Sequence, residues 1–109
     1  MIRYAGLITK FSKQEIDQLF KNSKRIFSND AATILAAPRT LDFARVLLVT
    51  PRTIGNAVIR NLLRRRLKSI FYQEKLYQTL THDIVVIARK PLTTYSFEQL
   101  EALLRDIKE

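Results

Sequence analysis

Residues 45–72 read RVLLVTPRTIGNAVIRNLLRRRLKSIFY and contain the clearest strand and helix signals of the chain. The run Arg45–Thr50 is β-branched and apolar and stops before Pro51, which predicts a strand. Asn56 is a good helix cap, since its side chain accepts a hydrogen bond from the first turn. The helix is predicted from Ala57 to about Tyr72 or a little beyond. The stretch therefore predicts a strand followed by a long helix.

The residues before this stretch predict one helix and one strand. Ser12 and Glu15 have capping-box spacing, and apolar residues then repeat at helical intervals to about Asn22. The segment Ala31–Ala37 is short and apolar and ends at Pro38, which is typical of a strand.

The residues after it predict one more strand and one more helix. Asp83–Ala88 is apolar almost throughout, which favours a central strand. Ser96 and Gln99 form a second capping box. It precedes an apolar stripe of Phe97, Leu100, Leu103, Leu104 and Ile107. The order α-β-β-α-β-α predicts an α+β fold with helices packed on one sheet, and residues 1–109 are expected to form a single domain.

The composition indicates a polyanionic partner. The 109 residues include 19 Lys+Arg and 10 Asp+Glu, giving a formal net charge of +9. Without cysteine, disulfides and thiolate metal sites are excluded. No apolar run approaches the ~20 residues of a membrane span, and Met1–Lys10 lacks the pattern of a secretory signal. A cytoplasmic protein with no membrane partner is expected.

The positive charge is concentrated around the long helix. No acidic residue lies between Asp42 and Glu74. That interval contains Arg45, Arg52, Arg60, Arg64, Arg65, Arg66 and Lys68. At ~100° per residue, Val58, Ile59, Leu62, Leu63, Leu67 and Ile70 form an apolar arc that should face the core. Arg60, Asn61, Arg64, Arg65 and Lys68 form the opposite, basic arc. Like charges three and four residues apart repel each other, so the basic arc is better explained by an anionic partner than by simple exposure. A membrane-surface helix is disfavoured because the sequence contains no Trp to anchor it.

Residues 54–61, IGNAVIRN, resemble the signature of the protein subunit of bacterial ribonuclease P. That family has a glycine-asparagine-alanine-valine turn into a helix and then an arginine-asparagine-arginine element. Residues 87–91, IARKP, resemble the end of its third strand, and Phe20-Lys21 resembles part of its first helix.

The resemblance implies a ribosomal-protein-S5-domain-2-like fold with a left-handed βαβ crossover. It implies a subunit that binds ribonuclease P RNA and the 5′ leader of precursor tRNA and assists removal of the leader. The RNA would perform the catalysis, so the chain would have no catalytic residue, no metal site and no small-molecule substrate. Mg²⁺ would be held mainly by the RNA and the substrate. The RNA-binding residues expected are Arg52, Asn56, Arg60, Asn61, Arg64, Arg65, Arg66, Lys68, Arg89 and Lys90, with Phe20 in the leader cleft.

The chain departs from the family pattern at several positions. Leu62 stands where the second arginine of the element is usual, and Arg66 stands where leucine is usual. These positions are neighbours across one helical turn, so we expect Arg66 to replace the missing arginine. Thr53 takes the place of a basic residue before the glycine turn. Ile16 and Ile34 stand where aromatics are common in the cleft, which predicts weaker or altered leader binding.

Other functions stay open on the residues alone. A general RNA-binding protein, such as a ribosomal protein or an RNA chaperone, would share the basic face, and arginines along a helix do not distinguish RNA from DNA. An autonomous nuclease is disfavoured because the single histidine, His82, is expected in a loop without an acidic or basic companion. Glu98 and Glu101 are better read as a solvated acidic face than as metal ligands.

Overall fold

The computed structural model describes residues 4–109 and arranges them around one sheet. The strands are β1 (Lys24–Ser28), β2 (Ala32–Pro38), β3 (Val46–Val49) and β4 (His82–Ala88). The helices are α1 (Lys13–Asn22), α2 (Ala57–Gln73), α3 (Leu76–Thr79) and α4 (Phe97–Arg105), with short 3-10 helices at Tyr4–Gly6, Arg52–Ile54 and Lys90–Thr94. Within these residues, no helix has the length and apolar character needed to cross a membrane.

The strand order β1-β2-β4-β3 places β4 inside the sheet, as the sequence predicts. Strands β1 and β2 pair antiparallel, as do β2 and β4, whereas β3 and β4 pair parallel. The parallel pair requires a crossover connection, which α2 supplies. The α+β class is confirmed, and the left hand of the crossover stays a prediction.

Strand β1 is not predicted by the sequence pattern. It forms the edge of the sheet, and its register with β2 shifts between Arg25 and Phe27. Lys24 and Arg25 are exposed, and Ile26 is the half-buried residue of the strand. Charged residues and a bulge are usual on edge strands, and they remove the apolar alternation by which a strand is recognised.

The two faces of the sheet differ in how completely they are covered. One face carries Ile34, Val46, Ile84 and Val86, which are buried under α2 and α4 together with Leu63, Leu67, Ile70, Phe71, Leu100 and Leu104. The other face carries Ala37 and Val85, which pack with Leu19 of α1. On that face Leu35, Leu47, Val49 and Ile87 are only partly buried. The short helix α1 therefore leaves part of its face of the sheet open.

The helix starts follow the predicted capping. The Ser12 hydroxyl accepts a hydrogen bond from the Glu15 N–H at 3.1 Å, and the Ser12 N–H donates to the Glu15 carboxylate at 3.0 Å. Ser96 and Gln99 make the same reciprocal pair. The Asn56 side chain accepts from the Ile59 N–H at 3.0 Å. These bonds satisfy N–H groups that have no partner within the helix.

Candidate nucleic-acid interface

The first two turns of α2 present apolar side chains to solvent. Val58 is 75% exposed, Ile59 40% and Leu62 37%, and we call these three residues the apolar patch. The expectation that they face the core is therefore wrong. The buried residues of α2 begin at Leu63, because the core lies under the later turns of the helix.

Three basic residues of α2 line a groove along the neighbouring strand. Arg64, Arg65 and Lys68 border a pocket of about 290 Å³ whose other wall is formed by Thr9, Val46, Leu47 and Leu48. No ion pair among residues 4–109 involves a basic residue of α2. The groove therefore combines three positive charges with no neutralising carboxylate, which suits a phosphate backbone.

Arg60 and Asn61 begin the basic side of the helix. Arg60 is half-buried, and its Nε has no hydrogen-bond partner among the described residues. The exposed Asn61 side chain accepts a hydrogen bond from the Arg64 guanidinium. Asn61 therefore orients Arg64 before any ligand is bound.

Arg66 lies on the opposite flank of α2 from the groove. It lines a second pocket with Leu62 and residues of the 3-10 helix Lys90–Thr94. The two positions of the predicted exchange, Leu62 and Arg66, therefore share one pocket. Whether Arg66 replaces the missing arginine stays a prediction.

The remaining basic candidates lie where the parallel strands end. Arg52 follows β3, and Arg89 and Lys90 follow β4, so they come to the same edge of the sheet. All three are exposed. The Arg89 guanidinium also donates to the Asn29 carbonyl and, at 2.6 Å, to the Thr33 hydroxyl. Arg89 therefore fastens the turn between β1 and β2 in addition to any role with RNA.

Arg45 is not part of the basic surface, although the sequence groups it with the others. It is 4% exposed, and its guanidinium lies 2.6 Å from the Glu15 carboxylate and 3.7 Å from that of Asp83. It also stacks over the Phe11 ring, 4.2 Å from the centroid. The positive charge of Arg45 is thus neutralised inside the protein.

The same cluster shifts two carboxyl groups in opposite directions. Hydrogen bonds from the Ser12 backbone and then from Arg45 hold the pKa of Glu15 below its ordinary value. Burial raises the pKa of Asp83, and the hydrogen bond from the Arg45 backbone and the charge of Arg45 offset this only in part. The geometry therefore favours an ionised Glu15 and penalises an ionised Asp83.

A cleft of about 280 Å³ separates α1 from the sheet. Its walls include Phe11, Gln14, Gln18, Leu19, Asn22, Ala37, Pro38 and the buried Arg45 and Asp83. Phe20, the predicted cleft residue, is 41% exposed and is not among the wall residues. Phe11 is the aromatic side chain at the cleft, and it was not among the residues predicted there. Its position directly before the capping residue Ser12 is the signal that was available.

Ile34 does not face the cleft, so the expectation that it does is wrong. It is 1% exposed and packs in the core under α2, whereas Leu35 and Ala37 of the same strand face α1. Successive side chains of a strand point to opposite faces, which accounts for the difference. Ile16 is half-buried on α1 and is not a wall residue either.

The acidic residues and the histidine form structural contacts. His82 is the first residue of β4 rather than a loop residue, and its Nδ1 lies 3.5 Å from the Glu109 carboxylate. Glu101 pairs with Arg105 at 2.9 Å. Across residues 4–109, no group of three or more His, Asp or Glu side chains is placed to hold a metal ion.

Comparisons with known proteins agree with this geometry. Residues 11–108 match the model of the family described as Ribonuclease P. The chain is 34% identical over 89 residues to the ribonuclease P protein component of Petrotoga mobilis, which covers 76% of this chain and 75% of that protein. It is 28% identical over 94 residues to the ribonuclease P protein component of Bacillus pumilus, and the match covers 86% of this chain and 79% of that protein.

Solved structures show the same fold. The RNase P protein from Thermotoga maritima is similar with a TM-score of 0.73 and 29% identity, over 93% of this chain and 98% of that chain. The Staphylococcus aureus RNase P protein is similar with a TM-score of 0.76 and 23% identity, over 90% of this chain and 89% of that chain. At that identity, the similarity supports the fold alone.

Proposed function

This chain belongs to the ribonuclease P protein family, and we propose that it holds ribonuclease P RNA on α2 and the leader of precursor tRNA beside α1. Membership makes the chain the protein subunit of a ribonuclease that binds RNA and acts in tRNA 5′ processing. The proposal places this work in the cytoplasm, and the absence of cysteine from the sequence agrees with a reducing compartment.

The groove of Arg64, Arg65 and Lys68 is the observation that carries the RNA-binding part. These cations are not used in ion pairs among the described residues, so their charge is available to phosphates. Neutralising phosphates releases counterions, and affinity then falls steeply as salt is raised. Arginine also binds phosphate with a defined geometry, because its planar guanidinium can donate to two phosphate oxygens at once.

The partly open face of the sheet supports the leader as the second ligand. Leu35, Leu47, Val49 and Ile87 offer apolar surface beside the cleft, and Phe20 projects from α1 into solvent. Unpaired bases stack on such surface with little dependence on sequence. A precursor tRNA has a single-stranded leader, whereas the mature tRNA has none, so the cleft would distinguish the two.

The proposal assigns the chemical step to the RNA. The Mg²⁺ ions that this step needs usually bind through substrate phosphates and keep several of their waters. The ions would be held mainly by the RNA and the precursor tRNA, where they supply the charge that hydrolysis of a phosphodiester requires. The chain itself orients the substrate and screens repulsion between two polyanions, and it should therefore lower the Mg²⁺ concentration needed for cleavage.

Cleavage of a precursor tRNA at low Mg²⁺ tests the proposal. The assay mixes the chain with a bacterial ribonuclease P RNA, and chain alone and RNA alone are the controls. We expect cleavage only in the mixture. Cleavage by the chain alone would show an active site of its own, and RNA binding without cleavage would indicate a general RNA-binding protein such as a ribosomal protein or RNA chaperone.

A matched pair of variants locates the RNA-binding surface. Arg65→Ala removes one exposed charge from the groove, and Lys108→Ala removes one exposed charge near the far end of the chain. We expect Arg65→Ala to weaken RNA binding. The salt slope, which is the slope of log affinity against log salt concentration, should become shallower by about 0.7–0.9, the effect of one lost phosphate contact. Lys108→Ala should bind as the unmodified chain does. Equal effects of the two variants would contradict the assignment of the groove.

A further inference from the structure

The apolar patch lies within the longest acid-free interval of the chain. Val58, Ile59 and Leu62 are exposed on a helix that also exposes Arg64 and Arg65 and leaves Arg60, Arg66 and Lys68 half-buried. Exposed apolar surface with a polar rim commonly marks a binding site. Phosphate contacts alone do not account for this surface, because phosphate gains nothing from an apolar neighbour.

A small pocket opens beside the patch. It measures about 140 Å³ and lies between α2 and the 3-10 helix Lys90–Thr94. Its lining is Ile59, Leu62, Leu63, Arg66, Leu92, Thr93 and Tyr95, and we call it the Tyr95 pocket. Small-molecule sites usually measure ~300–1,000 Å³, so this pocket suits a single flat group rather than a whole metabolite.

Three side chains of the Tyr95 pocket have the chemistry of base recognition. Tyr95 is a half-exposed aromatic ring. Thr93 donates its hydroxyl hydrogen to the Lys90 carbonyl at 2.7 Å, so its oxygen can still accept a hydrogen bond. Arg66 is half-buried at the pocket and makes no ion pair among residues 4–109.

We propose that the Tyr95 pocket receives one unpaired nucleobase of ribonuclease P RNA. The base stacks on Tyr95 against the apolar wall of Ile59 and Leu62, and Arg66 holds the adjoining phosphate. This inference rests on the proposed function, because it takes the RNA subunit as the partner. It adds a nucleotide site to the phosphate-binding groove on the other flank of α2.

The charge around the pocket favours RNA over a protein partner. No acidic residue lies between Asp42 and Glu74, and Arg66 and Lys90 stand on the two elements that form the pocket. A protein surface would have to be strongly acidic and also supply an apolar side chain. An unpaired nucleotide supplies both features in one unit, since a flat ring with apolar faces is attached to a phosphate.

Substitution of Tyr95 tests the proposal by the affinity for ribonuclease P RNA. Tyr95→Ala removes the ring, and we expect the affinity to fall about 5- to 150-fold, the loss of one stacked base. The salt slope should not change, because no charge is removed. Tyr95→Phe keeps the ring and should bind as the unmodified chain does. Tyr72→Ala is the matched control. It removes another exposed aromatic ring, which lies about ten residues, or roughly 15 Å, beyond Leu62 along α2.

A second measurement keeps the test independent of folding. A photoreactive phenylalanine derivative in place of Tyr95 preserves the ring, and irradiation of the complex should crosslink it to an unpaired nucleotide. Normal binding by a folded Tyr95→Ala variant, or a crosslink only to paired nucleotides, would overturn the proposal. Thermal unfolding of each variant shows whether it is folded.

The unmodified chain separates this inference from the proposed function. If the unmodified chain supports cleavage and Tyr95→Ala binds ribonuclease P RNA as tightly as the unmodified chain does, only the nucleobase site is wrong. If it neither binds the RNA nor supports cleavage, the proposed function fails and the nucleobase site fails with it.

Discussion

The Arg45 guanidinium donates to the Glu15 carboxylate across 2.6 Å and so joins α1 to the start of β3. The second carboxylate, that of Asp83, accepts the Arg45 backbone N–H at 2.8 Å. The apolar contact of α1 with the sheet is small, with Leu19 as its buried residue. The ion pair therefore contributes to the position of α1 and to the width of the cleft.

Replacing Arg45 should destabilise the protein strongly. Arg45→Met keeps an unbranched apolar side chain in place of the arginine stem but removes the guanidinium, so the buried Asp83 carboxylate loses its cation. Removing one partner of a buried pair costs about 3–5 kcal/mol in the free energy of unfolding, and urea denaturation measures it. The exposed Arg65→Met is the control and should change this free energy by less than about 0.5 kcal/mol. Adding Asp83→Asn to Arg45→Met should recover part of the loss; an unchanged urea midpoint for Arg45→Met would refute the role given to the pair.

Glu15 should make the free energy of unfolding depend on pH. Its pKa is lowered in the folded protein, so its contribution is complete above the ordinary glutamate pKa of about 4.3 and is lost as pH falls through the lower folded value. Urea unfolding of the unmodified chain and of Glu15→Gln at several pH values measures this contribution. The difference between the two proteins should be largest near neutral pH and should shrink below about pH 4. The raised pKa of Asp83 acts in the opposite direction, but that residue is present in both proteins. A difference that stays constant with pH would contradict the assignment.

The exchange of Leu62 and Arg66 can be reversed by mutation. Arg66→Leu should weaken binding of ribonuclease P RNA and lower the salt slope by about 0.7–0.9, because one phosphate contact is lost. Adding Leu62→Arg should restore the slope, since both positions line the same pocket. Titration of the RNA at several salt concentrations gives both quantities. If Arg66→Leu alone binds as the unmodified chain does, Arg66 does not replace the missing arginine.

Phe20 should affect precursor tRNA more than mature tRNA. Phe20 is 41% exposed and belongs to neither buried cluster, so Phe20→Ala should disturb the core little. It should weaken binding of a leader-bearing tRNA by ~1–3 kcal/mol for a stacked base. Affinities of the assembled protein–RNA complex for the two tRNAs measure the difference. Phe27→Ala removes a similarly exposed ring from the edge strand and is the matched control. Equal losses for both tRNAs would place Phe20 outside the leader site.

The helix caps could be predicted from sequence because they are local. Ser12 with Glu15 and Ser96 with Gln99 satisfy backbone groups within three residues, so spacing alone identifies them. The central position of β4 was also predictable, because a strand that is apolar throughout has to be covered on both faces.

The burial of Arg45 and the exposure of Leu62 could not be predicted in this way. The partners of Arg45 are 30 and 38 residues away in the chain, and only the folded sheet brings them together. A helical wheel shows the angle of Leu62 but not where along α2 the core begins. Strand β1 was not predicted because Lys24 and Arg25 interrupt the apolar alternation of a strand and its register with β2 shifts between Arg25 and Phe27.

The anchoring of α2 through its later turns has an evolutionary consequence. Leu63, Leu67, Ile70 and Phe71 attach the helix to the core, whereas Val58, Ile59 and Leu62 are exposed and lie outside the buried cluster. Mutations in the first two turns can therefore accumulate at little cost to folding. With RNA bound there as proposed, selection on these turns would act mainly through the RNA, so this part of the protein could change in step with its partner while the scaffold stays constant.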